Sequence, residues 1–192
     1  MHLEHYKNKF KHVSFIREDS ILQLTIHCQG GGEAFWTPAE GGLHTEPGQA
    51  FYAVAHDPEN KAVILTGTGD AFLTRMDTAG VGPEMATTHF WQCIYQEGKH
   101  LLQNLLGIEV PMIAAVNGPV HIHSELPTLC DIVIASETAS FADKAHFPGW
   151  TVSGDGVHVW WPMLLGPNQG GVVLIDWRGY PGSRGKDTWI CG

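Results

Sequence analysis

The sequence predicts an α/β fold built from ββα-type units, and three observations carry that reading. Short, nearly continuous apolar runs alternate with stretches whose apolar residues recur every three or four positions. Two alternating segments stand ahead of the first such run, as a leading hairpin would. Finally, 43% of the 192 residues are hydrophobic, with 7 Trp and 8 Phe. That is enough apolar material to bury a sizeable core, and it excludes a disordered polymer.

Taken in order, Val13 to Arg17 and Ile21 to Ile26 flank Glu18-Asp19-Ser20 and read as the hairpin. A loop from Gly30 to Gly42 follows, with Phe35 and Trp36 in its middle; the pair either covers a pocket or packs onto the core. Pro47 suits the first turn of a helix, where its missing N–H costs nothing. Ala50, Phe51, Val54 and Ala55 would face inward before Asp57-Pro58 stops it. Ala62 to Leu65 reads as a strand of a parallel sheet. The Gly67-Thr68-Gly69 behind it is not a dinucleotide fingerprint, because Phe72 stands where the last small residue belongs.

From Thr88 to Leu106, Phe90, Ile94, Leu101, Leu102 and Leu105 share one face with Gly98, which predicts a long amphipathic helix. Pro111 to Val116 is the next strand, closed by the turn Asn117-Gly118-Pro119. A helical turn near residues 124–129 leads to a third strand over 131–135, and Gly154-Asp155-Gly156 opens a helix from Val157 to Leu165. Beyond Asn168 the pattern fails: Gln169 to Gly192 holds six glycines in 24 residues, plus Pro181, with one apolar run from Val172 to Ile175. No helix of useful length is expected there. The expected division is a core domain over 1–168 and an atypical glycine-rich tail over 169–192.

Charge narrows the function. With 11 Lys+Arg against 20 Asp+Glu the net charge is -9, which opposes a nucleic-acid partner. No apolar run approaches the roughly 18 residues of a membrane span, and the N-terminus lacks the apolar stretch of a signal peptide. Cys28, Cys93, Cys130 and Cys191 are scattered, so a reducing, cytoplasmic setting is expected rather than a disulfide framework. The 12 His are a heavy load of the side chain best suited to proton transfer near neutral pH. His121 and His123 with His146 and His158 invite a zinc reading, but no third ligand has a fixed spacing, and no metal is expected.

Two stretches carry a family resemblance. Ala62 to Phe72 with Asp77 resembles the first signature of the crotonase (enoyl-CoA hydratase/isomerase) superfamily. Ile113 to Pro119, Glu125-Leu126 and Cys130 to Ala135 resemble its second, and Phe141-Ala142 and Leu164-Leu165-Gly166 extend the match over roughly residues 13–168. The resemblance implies a crotonase-like spiral of ββα units whose C-terminal helical region is missing or atypical here. It also implies a homotrimer or a dimer of trimers.

The departures from that pattern point to one branch. Arg75 stands where the first loop usually has Gly, and Val120 to Glu125 replaces the glycine-rich second loop. A hydratase's catalytic glutamate would fall near Ala145, which cannot move a proton. His146-Phe147-Pro148, Gly154-Asp155-Gly156, His158-Val159 and Trp161-Pro162, with a His ahead of Glu125, resemble the β-diketone hydrolases typified by 6-oxocamphor hydrolase. These cleave a C–C bond between two carbonyls without a cofactor. By that resemblance His146 and Asp155 form the catalytic dyad, His123 is the second histidine, Trp36 is a pocket tryptophan and the Met76 amide enters the oxyanion hole.

Such a retro-Claisen hydrolysis needs an activated water, a pocket for the tetrahedral oxyanion and a place for the leaving enolate. Imidazole backed by a carboxylate supplies the first, His123 would donate to the second, and Trp36 and Trp160 would wall the third. The plainer alternatives are a structural His146, Asp155 as a helix N-cap and Trp160-Trp161 as core packing. A coenzyme A-thioester hydratase or isomerase, or a non-catalytic protein on the same fold, remain the competing functions.

Overall fold

The computed structural model describes residues 1–38, 41–77, 82–146, 151–176 and 180–181. Phe147 and Pro148 of the site motif, most of the tail and Cys191 lie outside the described residues.

The leading hairpin is β1 (Val13–Glu18) and β2 (Ile21–Ile26), antiparallel with Val13 opposite Ile26. Its turn puts Asp19 and Ser20 in the left-handed region. β3 (Phe35–Trp36) interrupts the glycine loop, and α1 (Glu46–Ala55) follows with Pro47 in its first turn. Then come β4 (Ala62–Thr66), β5 (Arg75–Met76), α2 (Thr88–Leu106) and β6 (Met112–Val116). After α3 (Glu125–Thr128) the chain runs through β7 (Ile132–Ala135), β8 (Ser140–Phe141), α4 (Val157–Leu165), α5 (Pro167–Ile175) and β9 (Tyr180–Pro181).

Five strands form the main sheet in the order β1-β2-β4-β6-β7, with every pair after the hairpin parallel. Parallel neighbours cannot be joined by a tight turn, so α1, α2 and α3 supply the crossovers. Leu22, Leu24, Val63, Leu65 and Ala114 point to the same core and are fully buried. Phe51 and Val54 of α1 and Leu101 and Leu105 of α2 close over them. At the edge, β7 leaves Ile132 and Ile134 exposed.

The loops after β4 and β6 are tied by the Asn117-Gly118-Pro119 turn. Asn117 accepts from the Gly67 amide at 3.2 Å and donates to the Gly69 and Ala71 carbonyls at 2.7 and 2.9 Å. A Cβ on Gly118 would lie 1.9 Å from the Asp70 carbonyl oxygen, so only glycine lets the two loops approach this closely.

Two expectations are corrected. Phe35 and Trp36 are not loop residues, because β3 pairs in parallel with β5, Trp36 opposite Met76. The chain beyond Asn168 also begins in a helix. Pro167 starts α5, Gly170 packs against the Pro162 backbone of α4 and Val173 is buried. Two adjacent glycines hid that helix from a propensity argument, and contact with α4 supplies what propensity lacks. Among the described residues no helix is long and apolar enough to cross a membrane.

Candidate active site

The ends of β3 and β5, the loop before α3, the loop before α4 and one face of α2 enclose a cavity of about 210 Å³. Its apolar wall is Trp36, Pro38, Met76, Met85, Phe90, Trp91 and Ile94, and its polar floor is His44, His123, His146, Thr151 and Asp155. Ala145 also lines it, so the position where a hydratase glutamate was expected presents a methyl group. Among the described lining residues Asp155 is the sole carboxylate and none is Lys or Arg.

His146 and Asp155 do come together: Nε2 of the ring lies 3.6 Å from Asp155 Oδ2. This is just beyond a direct hydrogen bond, a separation usual for catalytic pairs without substrate. His123 Nε2 lies 4.0 Å from the same oxygen. One carboxylate oxygen therefore has two imidazole rings near it.

Asp155 reaches that place through unusual backbone. It is not the cap of α4; Gly156 holds that position, and Asp155 itself has φ 52°. His123 has φ 47°. Left-handed conformations at non-glycine residues are strained and concentrate at functional sites. They persist here because α4 is docked onto α3: Trp161 Nε1 donates to Ser124 Oγ at 2.9 Å, buried, and Trp160 Nε1 donates to Thr128 Oγ1 at 3.0 Å.

Each imidazole is anchored from behind by a second carboxylate. His146 Nδ1 donates to both oxygens of Asp143, each at 2.9 Å, and Ser153 Oγ donates to Asp143 Oδ2 at 2.7 Å. His123 Nδ1 donates to Glu125 Oε1 at 2.6 Å. His44 Nδ1 donates to Glu97 Oε2 at 2.7 Å, and Thr45 Oγ1 to Glu97 Oε1 at 3.0 Å. The His123 ring also lies against Trp36, centroids 4.0 Å apart.

These partners decide protonation. Burial by itself would push the His146 pKa down, but Asp143 and then Asp155 outweigh it and raise the pKa to about 10. Burial likewise opposes a charge on His123, yet Glu125 and Asp155 hold its pKa above the ordinary value. For Asp143 and Asp155 burial favours the neutral acid, but the histidines hold both below the usual carboxylate range.

Of the sequence candidates, His123, His146, Asp155, Trp36 and Met76 share this cavity. Trp160 does not line it; its indole is spent on Thr128, so the second wall is built from Phe90, Trp91 and Ile94 of α2 instead. The four histidines of the alternative zinc reading do not assemble. His121 bonds Ser140 Oγ at 2.9 Å, its pKa pushed down to about 4 by burial and Lys144, and His158 is exposed. Sequence reasoning missed Asp143, His44 and Glu97. Asp143 stood three residues before His146 and was within reach of a local-spacing argument. His44 and Glu97 are 53 positions apart and leave no such signal.

Comparison with known proteins bears on the fold as a whole. A family model described as Enoyl-CoA hydratase/isomerase matches residues 38–175. The chain is 35% identical over 116 residues to a mitochondrial enoyl-CoA hydratase of Pongo abelii, covering 60% of this chain and 38% of that protein. It is 31% identical over 148 residues to 4-chlorobenzoyl coenzyme A dehalogenase-1 of an Arthrobacter species, covering 74% and 50%. Among solved structures it superposes on a beta-diketone hydrolase of Anabaena sp. PCC 7120 bound to (S)-3-oxocyclohexyl acetic acid, with TM-score 0.90 and 36% identity over 97% of this chain and 73% of that one. An enoyl-CoA hydratase/isomerase of Mycobacterium paratuberculosis, 21% identical with TM-score 0.82 over 94% of this chain and 71% of that one, shares the fold. The chain spans half or less of the length of these two curated relatives.

Proposed function

The chain belongs to the enoyl-CoA hydratase/isomerase family of the crotonase superfamily, and from that premise we propose that its cavity hydrolyses a C–C bond of a β-diketone to give a keto acid. The observation that carries the reading is the Asp155 carboxylate near both His146 and His123, in an apolar cavity that presents Ala145 instead of a glutamate. The similarity to a beta-diketone hydrolase over nearly the whole chain supports it.

Neutral His146 takes a proton from water, and the resulting hydroxide adds to one carbonyl carbon. The alkoxide that forms is met by His123 and, by resemblance, by the Met76 amide. Its collapse breaks the C–C bond and sends the electron pair onto the second carbonyl as an enolate. The His146 imidazolium then returns its proton to the enolate carbon, leaving a ketone and a carboxylic acid that loses its own proton to solvent. Asp155 steadies the imidazolium and Asp143 fixes the ring through Nδ1, a division of labour in which the positioning carboxylate lies upstream of the histidine. Because the resting ring is charged up to about pH 10, the base form is scarce at neutral pH and grows as pH rises.

A lining without Lys or Arg among the described residues offers nothing to the phosphates of coenzyme A and suits a compact uncharged ketone walled by Trp36 and Trp91. Incubating the protein with a bicyclic 1,3-diketone beside crotonyl-CoA tests this. Turnover of the diketone supports the reading, and turnover of the thioester alone replaces it with a hydratase or isomerase. We also propose the homotrimer that the resemblance implies, to be read by light scattering.

A further inference from the structure

We propose that His44, His123 and Asp155 form a binding site for a single divalent transition-metal ion of the zinc type. One ligand atom from each lies within 4.8 Å of the others, and all three residues line the same cavity. The proposal goes beyond the hydrolytic reading and stands or falls without it.

The imidazoles are already oriented as metal ligands are. His44 gives Nδ1 to Glu97 at 2.7 Å and His123 gives Nδ1 to Glu125 at 2.6 Å, so Nε2 of each ring is the remaining ligand atom. A carboxylate behind a histidine is the usual outer support of a metal site, since it fixes the ring and raises its basicity. Asp155 completes the set with Oδ2 at 4.0 Å from His123 Nε2. Tetrahedral zinc, with bonds of about 2.0–2.1 Å, needs ligand atoms roughly 3.3 Å apart. Side chains closing by less than about 1 Å each reach that spacing.

Charge favours a cation here. Glu97, Glu125, Asp143 and Asp155 face three imidazoles, and even three protonated rings would leave one net negative charge. Glu125 Oε2 is buried with no hydrogen-bond partner among the described residues, so the cluster holds more negative charge than its own donors satisfy. Two imidazoles and one carboxylate suit a borderline ion of the zinc type better than calcium or magnesium. An ion bound here takes His123 and Asp155 out of any hydrolytic role, so its binding switches the proposed reaction off.

The test is equilibrium dialysis of the full chain against zinc, with metal analysis, on wild type, His44→Ala, His123→Ala, Glu97→Gln and, as a control, His2→Ala, because exposed His2 lies in a separate group with Asp57 and Glu59. One zinc per chain is expected in wild type and His2→Ala, at least tenfold weaker in His44→Ala and His123→Ala, and weakened about 10- to 100-fold in Glu97→Gln, which keeps both rings. Thermal unfolding confirms that each variant folds, and cobalt(II) gives an independent readout through a visible tetrahedral band that His44→Ala abolishes. Absence of stoichiometric zinc, binding unchanged by the His44 and His123 variants, or binding lost only in His2→Ala would each overturn the proposal. Diketone hydrolysis, if present, stops at saturating zinc and returns with a chelator; full activity in the zinc-loaded protein would contradict the blocking role while the dialysis still decides the site.

Discussion

Gly98 of α2 lies directly against Asp155: a Cβ at position 98 would sit 2.6 Å from Asp155 Oδ1. Gly98 stands on the buried face of a helix, where glycine costs about 1 kcal/mol relative to alanine. In the structure it is the space that admits the Asp155 carboxylate. Gly98→Ala therefore pushes Asp155 away from the histidines. The expected result is a loss of diketone hydrolysis on the order of 10²-fold, the usual effect of a displacement near 1 Å, with the fold retained by circular dichroism.

Asp143 sets the titration of His146. Without its charge, the His146 pKa falls from about 10 towards the ordinary histidine range. In metal-free buffer, kcat/KM of the wild type should rise with pH towards about 10. Asp143→Asn should move that limb down by one pH unit or more and lower the plateau. Coincident limbs would show that Asp143 does not position the ring.

Asp57 governs acid stability at the opposite end of the sheet. Its carboxylate, with no exposed side-chain surface, accepts from Arg17 at 2.8 Å and from the Tyr6 hydroxyl at 2.9 Å. Burial favours the neutral acid, but these hydrogen bonds and the Arg17 charge hold the pKa below its ordinary value. The stabilisation is therefore complete above the unfolded carboxylate pKa and is lost as pH falls through the lower folded value. Asp57→Asn should cost about 1–3 kcal/mol at pH 7, where it removes the charged acceptor of Tyr6 and leaves Arg17 with Glu59 and Asn60, and less at pH 3, measured by urea unfolding.

Gly118 joins the two signature loops. With a Cβ 1.9 Å from the Asp70 carbonyl oxygen, Gly118→Ala forces the backbone apart. A loss of about 1–3 kcal/mol or more is expected, with a lower yield of folded protein. A variant as stable as wild type would contradict the close approach.

The fold was largely legible because its strands and helices follow simple periods: α2 and α4 run over the residues their apolar spacing marked, and the hairpin register follows from its alternation. What was not legible depends on tertiary contact. β3 exists only through β5, 40 residues later, and α5 only through α4. At the site, the resemblance located His123, His146 and Asp155, since the branch is marked by local motifs. The anchors behind the rings were less visible. Glu97 lies 53 positions from His44 with no local motif to pair them, and Asp143 preceded a motif that was read from His146 onward. Trp160 and Trp161 both turn to α3, donating to Thr128 and Ser124, so neither lines the cavity, and the sequence does not reveal these partners.

The central claim is that His146 is the base. The most direct measurement is hydrolysis of a bicyclic 1,3-diketone by wild type and His146→Ala under identical metal-free conditions, with folding checked by thermal unfolding. Wild-type turnover that falls by about 10²- to 10⁴-fold in the variant, with substrate still bound, is the expected result. A folded His146→Ala protein that cleaves the diketone as fast as wild type would contradict it.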